Sequence, residues 1–200
     1  LAKYLKAIGA LRGGQLVEVT RADLVGRYVG HTAPLTNQVI QSALGGVLFI
    51  DEAYSLYRGG EDSFGLEAID TLVKGIEDHR DDLVVILAGY SKEMALFLTA
   101  NSGLASRFPN QIEFPDYTGT ELLAITRSIA KSKGYRLDDA CAMPLVAFFD
   151  RCQSENAAEN GNGRMARNTL EKAILNQSKR LVADADAALD LLLPGDFELE

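Results

Sequence analysis

Apolar residues along the chain fall into two kinds of run. Val47-Leu48-Phe49-Ile50 and Leu83-Val84-Val85-Ile86-Leu87 are uninterrupted, the pattern of strands buried on both faces, as in parallel sheets covered by helices. Val17-Glu18-Val19 is a shorter strand-like run. Between them apolar positions recur at helical spacing: Leu35, Val39 and Ala43 with Ile40 and Leu44, then Leu66, Ile69, Leu72, Val73 and Ile76. This alternation of strand and helix predicts a parallel α/β layer structure.

Polar punctuation sets the element ends. Thr20 and Asp23 have capping-box spacing and open a brief helix. Gly26 and Gly30 bracket Arg27-Tyr28-Val29, a loop carrying an exposed aromatic. Thr32 is expected to cap the next helix, with Pro34 in its first turn, and Gly45-Gly46 to end it. Ser63 is the expected cap of the following helix and Ser91 opens another. Ile112-Glu113-Phe114 reads as a short strand closed by Pro115.

After about residue 117 the pattern becomes helical. Thr118 and Glu121 repeat the capping-box spacing, and Leu122, Leu123, Ile125 and Ile129 follow it periodically. Residues 138–153 and 164–181 also read as helices, divided by the polar, Gly/Asn-rich stretch 155–163. The expected domains are therefore an α/β core over 1–117 and a helical portion over 118–200.

Composition narrows the classes. The chain has 200 residues, 47% hydrophobic and 24% charged, which suits a globular protein rather than a disordered or fibrous one. Its 20 Lys+Arg against 28 Asp+Glu leave a net charge of −8, against a broad nucleic-acid surface, which needs clustered cations. The longest apolar run, residues 83–88, is far short of the roughly 18–20 residues that span a bilayer. Neither nucleic acid nor membrane is expected as a partner. The first residues lack a Met and read as a helix cut mid-element, not as a secretory signal. Cys141 and Cys152 have no metal-ligand spacing and are too few for a disulfide scaffold, so reduced cytoplasm is the expected compartment.

Candidate chemistry begins at Asp51-Glu52, directly after the four apolar residues of the run 47–50. Ligands of open parallel sheets bind outside the carboxyl ends of the strands. Adjacent acids there suit metal-assisted phosphoryl transfer, one carboxylate holding Mg²⁺ and the other polarising a water. The plainer reading has Asp51 capping the turn and Glu52 solvated.

Residues 47–56, Val-Leu-Phe-Ile-Asp-Glu-Ala-Tyr-Ser-Leu, resemble the Walker B segment of the CbxX/CfxQ family of AAA+ ATPases, which includes stage V sporulation protein K and red-type Rubisco activase. Four further blocks follow in family order. Residues 23–33 resemble the pore-loop region, and Leu87-Ala88-Gly89-Tyr90 the end of the fourth strand. Residues 101–109, ending Ser-Arg-Phe-Pro, resemble the arginine-finger segment, and residues 161–168 the start of the sensor-2 helix.

The resemblance implies a P-loop NTPase-type parallel sheet with helices on both faces, followed by a small helical lid. It also implies an oligomeric ring, hexameric in form, that couples hydrolysis of ATP with Mg²⁺ to remodelling of a protein substrate. Asp51 would hold Mg²⁺ and Glu52 would orient the attacking water. Arg107 would reach the γ-phosphate bound by a neighbouring subunit. Arg164, or Arg167 one turn later, would be sensor 2. Tyr28 and Val29 would grip the threaded polypeptide.

Two departures accompany it. The sensor-1 place offers only Tyr90 or Ser91, and no Gly-x-x-x-x-Gly-Lys-Ser/Thr occurs among the 200 residues. The resemblance implies that this phosphate loop and the strand before it lie upstream of Leu1, leaving the fragment by itself inactive. The other reading is genuine loss, in a non-hydrolysing interaction or scaffold module.

Overall fold

The computed structural model describes residues 1–183 and 188–199, which divide into two compact units, Leu1–Glu113 and Phe114–Glu200.

The first unit is built on three parallel strands, β1 (Leu16–Val19), β2 (Val47–Ile50) and β3 (Val84–Leu87), in that spatial order. The run 47–50 takes the central place, with Leu16 to Val19 paired against Val47 to Ile50 and these against Val84 to Leu87, while the longer apolar run lies in β3, at one side of the three strands and only half-buried. Six helices accompany the sheet: α1 (Ala2–Ala7), α2 (Arg21–Leu24), α3 (Thr32–Ala43), α4 (Ser63–Asp78), α5 (Ser91–Phe97) and α6 (Ser102–Arg107). Leu48 and Ile50 of β2 share one core with Ile40 and Ala43 of α3 and with Ala68, Ile69 and Leu72 of α4. Each fully buried Leu or Ile here is worth about 1.5–3 kcal/mol relative to exposure.

The second unit packs α7 (Gly119–Ser132), α8 (Ala142–Asn160) and α9 (Asn162–Ala183) around Leu122, Leu145, Phe149, Ala166 and Leu170. Two short parallel strands, β4 (Arg136–Leu137) and β5 (Leu191–Leu192), complete it. The capping box is in place: Thr118 N–H donates to Glu121 Oε2 at 2.8 Å, and Glu121 N–H to Thr118 Oγ1 at 3.3 Å.

Several sequence-level expectations change. Residues 112–114 form no strand: Ile112 and Phe114 are 81% and 87% exposed, because alternation yields a strand only where a neighbour pairs with it. Asp62, not Ser63, caps α4, its carboxylate accepting the Gly65 N–H at 3.1 Å. Thr32 is the first residue of α3 rather than its cap, and its buried hydroxyl turns back to accept the Gly26 N–H at 3.1 Å. The divider between the last two helices shrinks to Gly161, whose φ of 65° ends α8, a conformation that glycine adopts without a steric penalty.

Candidate functional site

Asp51 and Glu52 follow β2 directly, both exposed at the carboxyl end of the sheet. Backbone pairing continues past the strands, with Asp51 N–H donating to Val19 C=O and Ala53 N–H to Ala88 C=O, each at 2.9 Å. Glu52 sits between these anchors with φ 47° and ψ 46°, a left-handed conformation unfavourable to a residue with a Cβ. Its N–H donates to Asp51 Oδ1 at 3.0 Å, leaving Oδ2 of Asp51 and both Glu52 oxygens without a hydrogen bond among the described residues.

Behind the acidic pair, residues Ala53–Leu56 make one 3-10 turn. Tyr54 packs against Tyr90 with ring centroids 6.2 Å apart. Gly89 makes room for this, since a Cβ there would stand 2.7 Å from Tyr54 Cδ1. Burial first, and then the nearby Glu52 carboxylate and the other acidic groups around it, push the Tyr54 phenol above its ordinary value. The carboxyl edge is thus a site of concentrated negative charge, suited to a cation.

Magnesium is commonly held by one or two carboxylates while keeping several waters. The free acceptors of Asp51 and Glu52 fit that donor set. No group of three or more His, Cys, Asp or Glu side chains that could hold a metal ion stands together among the described residues.

Arg107, the last residue of α6, is turned within its own unit. Its Nη2 lies 3.1 Å from Glu77 Oε2, and Nη1 donates to Gly103 C=O at 3.3 Å. Asp51 and Glu52 are not among its contacts. Asn101 positions α6 by accepting the Gly103 N–H at 2.6 Å and donating to Asp70 at 2.6 Å.

Tyr28 and Val29 are 67% and 86% exposed at the tip of the loop between α2 and α3. The Tyr28 ring meets His31 edge to face, with centroids 5.5 Å apart. Arg164 and Arg167 belong to the second unit, exposed on the first turns of α9, with no ion-pair partner among the described residues. That helix starts at Asn162, whose side chain accepts from Tyr117 N–H at 3.0 Å and Gln153 Nε2 at 2.8 Å and donates to Asp116 at 2.6 Å.

Sequence reasoning missed Arg21 and Asp62. They form a partly buried ion pair at 2.8 Å, and Arg21 also donates to the Ser55 and Leu56 carbonyls. The Arg21 hydrogen bond, then the Gly65 amide, hold the Asp62 carboxyl below its ordinary value against the opposing effect of burial. The Asp62–Gly65 cap spacing was visible; a pairing 41 positions apart was not.

Comparison with known proteins agrees with this architecture. Residues 2–116 match the model of the ATPase family associated with various cellular activities (AAA), and residues 118–200 match the AAA lid domain. The chain is 47% identical over 183 residues to stage V sporulation protein K of Bacillus subtilis, covering 91% of this chain and 57% of that protein. It is 45% identical over 184 residues to the chloroplastic ribulose bisphosphate carboxylase/oxygenase activase of Cyanidioschyzon merolae, covering 92% and 62%. Protein CbbX of Cereibacter sphaeroides is 44% identical over 191 residues, covering 95% and 61%. The chain thus spans roughly three-fifths of the length of these relatives. Among solved structures, the FIGL-1 AAA domain in complex with ADP aligns with a TM-score of 0.59 at 16% identity, covering 90% of this chain and 59% of that one, a likeness of fold. The chain, with its parallel sheet and its helical lid, belongs to the AAA family of ATPases.

Proposed function

We propose that the protein carrying this chain hydrolyses ATP in an oligomeric ring and uses the cycle to remodel a protein substrate. The observation that carries this reading is the pair Asp51 and Glu52, exposed at the carboxyl end of the central parallel strand with their outer oxygens free.

Mg²⁺ and ATP, when bound, would supply the polarised phosphoryl group and the positive charge beside it. Asp51 would hold the ion through its carboxylate. Glu52 accepts a hydrogen bond from the attacking water and takes its proton, and the anchored backbone on either side keeps its carboxylate beside Asp51. Arg107 swaps its contact with Glu77 for a phosphate oxygen bound by an adjacent subunit. Arg164 or Arg167 brings the lid's positive charge to the nucleotide. Tyr28 and Val29, on a glycine-flanked loop, give an apolar grip that reads no particular sequence.

The test is Glu52→Gln in the full-length protein. Hydrolysis should fall by about 10²–10⁴-fold, the usual worth of a positioned general base, while ATP binding survives. Turnover at the wild-type rate would remove Glu52 from the chemistry.

A further inference from the structure

We propose that Arg21 is a positioning residue that couples the turn after Glu52 to the Tyr28 loop, a role that rests on the hydrolytic reading above. Arg21 is the first residue of α2, whose last residue, Leu24, leads directly into that loop. Its side chain is 17% exposed and Asp62's is 15%. Nη1 donates to the carbonyls of Ser55 at 2.9 Å and Leu56 at 3.1 Å, and Nη2 donates to Asp62 Oδ1 at 3.1 Å. One guanidinium therefore ties together α2, the 3-10 turn beginning at Ala53, and the cap of α4.

The cluster is closed tightly enough to transmit a displacement. Gly65 stands so near that a Cβ on it would run into the Leu56 carbonyl oxygen and crowd Arg21 Nη1. At its other end α2 is equally well held, with Leu24 fully buried and its carbonyl accepting from Thr36 Oγ1 at 2.8 Å. Gly26 N–H is held by the Thr32 hydroxyl. A four-residue helix is only about 6 Å long, so what moves Arg21 moves the root of the loop.

Glu52 places a strained residue directly before that turn. Its left-handed backbone is a disfavoured state held by the backbone bonds of Asp51 and Ala53 on either side, and a new contact at its free carboxylate would pull on that strained residue. Such a pull redirects the turn whose carbonyls Arg21 grips. Beyond Gly26 the loop is exposed and free to respond.

The experiment measures amide hydrogen exchange at Arg27–Gly30 in the full-length protein with ADP or with ATPγS. The wild type should show rates differing about fivefold or more between the two nucleotides, the lower range of allosteric coupling. Arg21→Met combined with Asp62→Asn removes the guanidinium without stranding a charge, and the Asn keeps an acceptor for Gly65. This double variant should bring the ratio close to one with unchanged nucleotide affinity. Arg21→Lys, which retains the charge but not the fork, should fall between, and carries the comparison if the double variant does not fold. A wild-type ratio in either variant would overturn the coupling, as would lost nucleotide affinity, which would place Arg21 in the binding fold instead. A wild-type loop indifferent to bound nucleotide would overturn it as well. Failure of the wild type to bind either nucleotide would overturn the hydrolytic reading itself.

Discussion

Arg107 Nη2 lies 3.1 Å from Glu77 Oε2, so the arginine expected to serve a neighbouring subunit is engaged within its own. Glu77 is about half exposed and also approaches Arg80 at 3.6 Å, and such solvent-screened pairs contribute about 0–1 kcal/mol. The contact is weak enough to exchange for phosphate.

Arg107→Ala should therefore leave the thermal midpoint almost unchanged while lowering turnover about 10³-fold or more, the scale of arginine fingers. Nucleotide binding should persist. Titration of the variant with a fluorescent nucleotide beside a phosphate-release assay separates the two, and undiminished turnover would leave Arg107 with its intramolecular role alone.

Glu52 pays for its position in backbone strain. Left-handed geometry costs a residue with a Cβ about 1–2 kcal/mol, part of which glycine recovers despite its greater unfolded-state freedom. Glu52→Gly should raise stability by up to about 1 kcal/mol and abolish hydrolysis in the full-length protein. Paired denaturation and ATPase assays check this; a destabilised Glu52→Gly variant would contradict the strain at φ 47°.

In the second unit Asp196 is 2% exposed and takes both arms of Arg180, from Nε and Nη2 at 2.8 Å each, with the Leu193 N–H at 2.7 Å. Burial alone would raise its carboxyl, but the Arg180 bonds and the Leu193 amide prevail and hold it below the ordinary range. Removing one partner strands a buried charge, which costs about 3–5 kcal/mol in fully buried pairs. Because Arg180 is partly exposed, Arg180→Ala should cost about 2–3 kcal/mol on this scale. Urea denaturation checks the loss, and a cost under about 0.5 kcal/mol would show the pair solvated in solution.

Cys141 gives a pH dependence of defined sign. Burial first, and then the nearby Asp138 charge, push its thiol from 9.0 up to about 11. Between those values the unfolded chain releases the proton and the folded chain keeps it, so this contribution to stability is full below pH 9 and falls as pH rises. Cys141→Ala should lose less stability than the wild type between pH 9 and 10.5 in matched denaturant titrations. Parallel losses would exclude Cys141 as the source.

Particular residues show where sequence reading suffices. The unbroken run Val47–Ile50 reads as a strand buried on both faces, and it is the central one of the three strands. With that strand placed, Asp51 and Glu52 had to stand at its carboxyl end. Tyr28 is exposed as its glycine brackets implied, and the Thr118–Glu121 box was legible because both partners lie within one turn.

What chain order alone determined, then, was much of what near neighbours govern: strand and helix periodicity, several element ends, the acidic pair and the loop aromatic. Tertiary structure decided the rest, because it turned on partners far apart along the chain. Ile112 and Phe114 alternate like a strand yet pair with nothing among the described residues. Arg107 is expected to face a neighbouring subunit's phosphate and is held by Glu77 of its own unit. Arg21 looks like one more polar residue of a short helix until folding brings Ser55, Leu56 and Asp62 around it. Local propensity cannot encode such meetings, since each is set by how separate elements share one core.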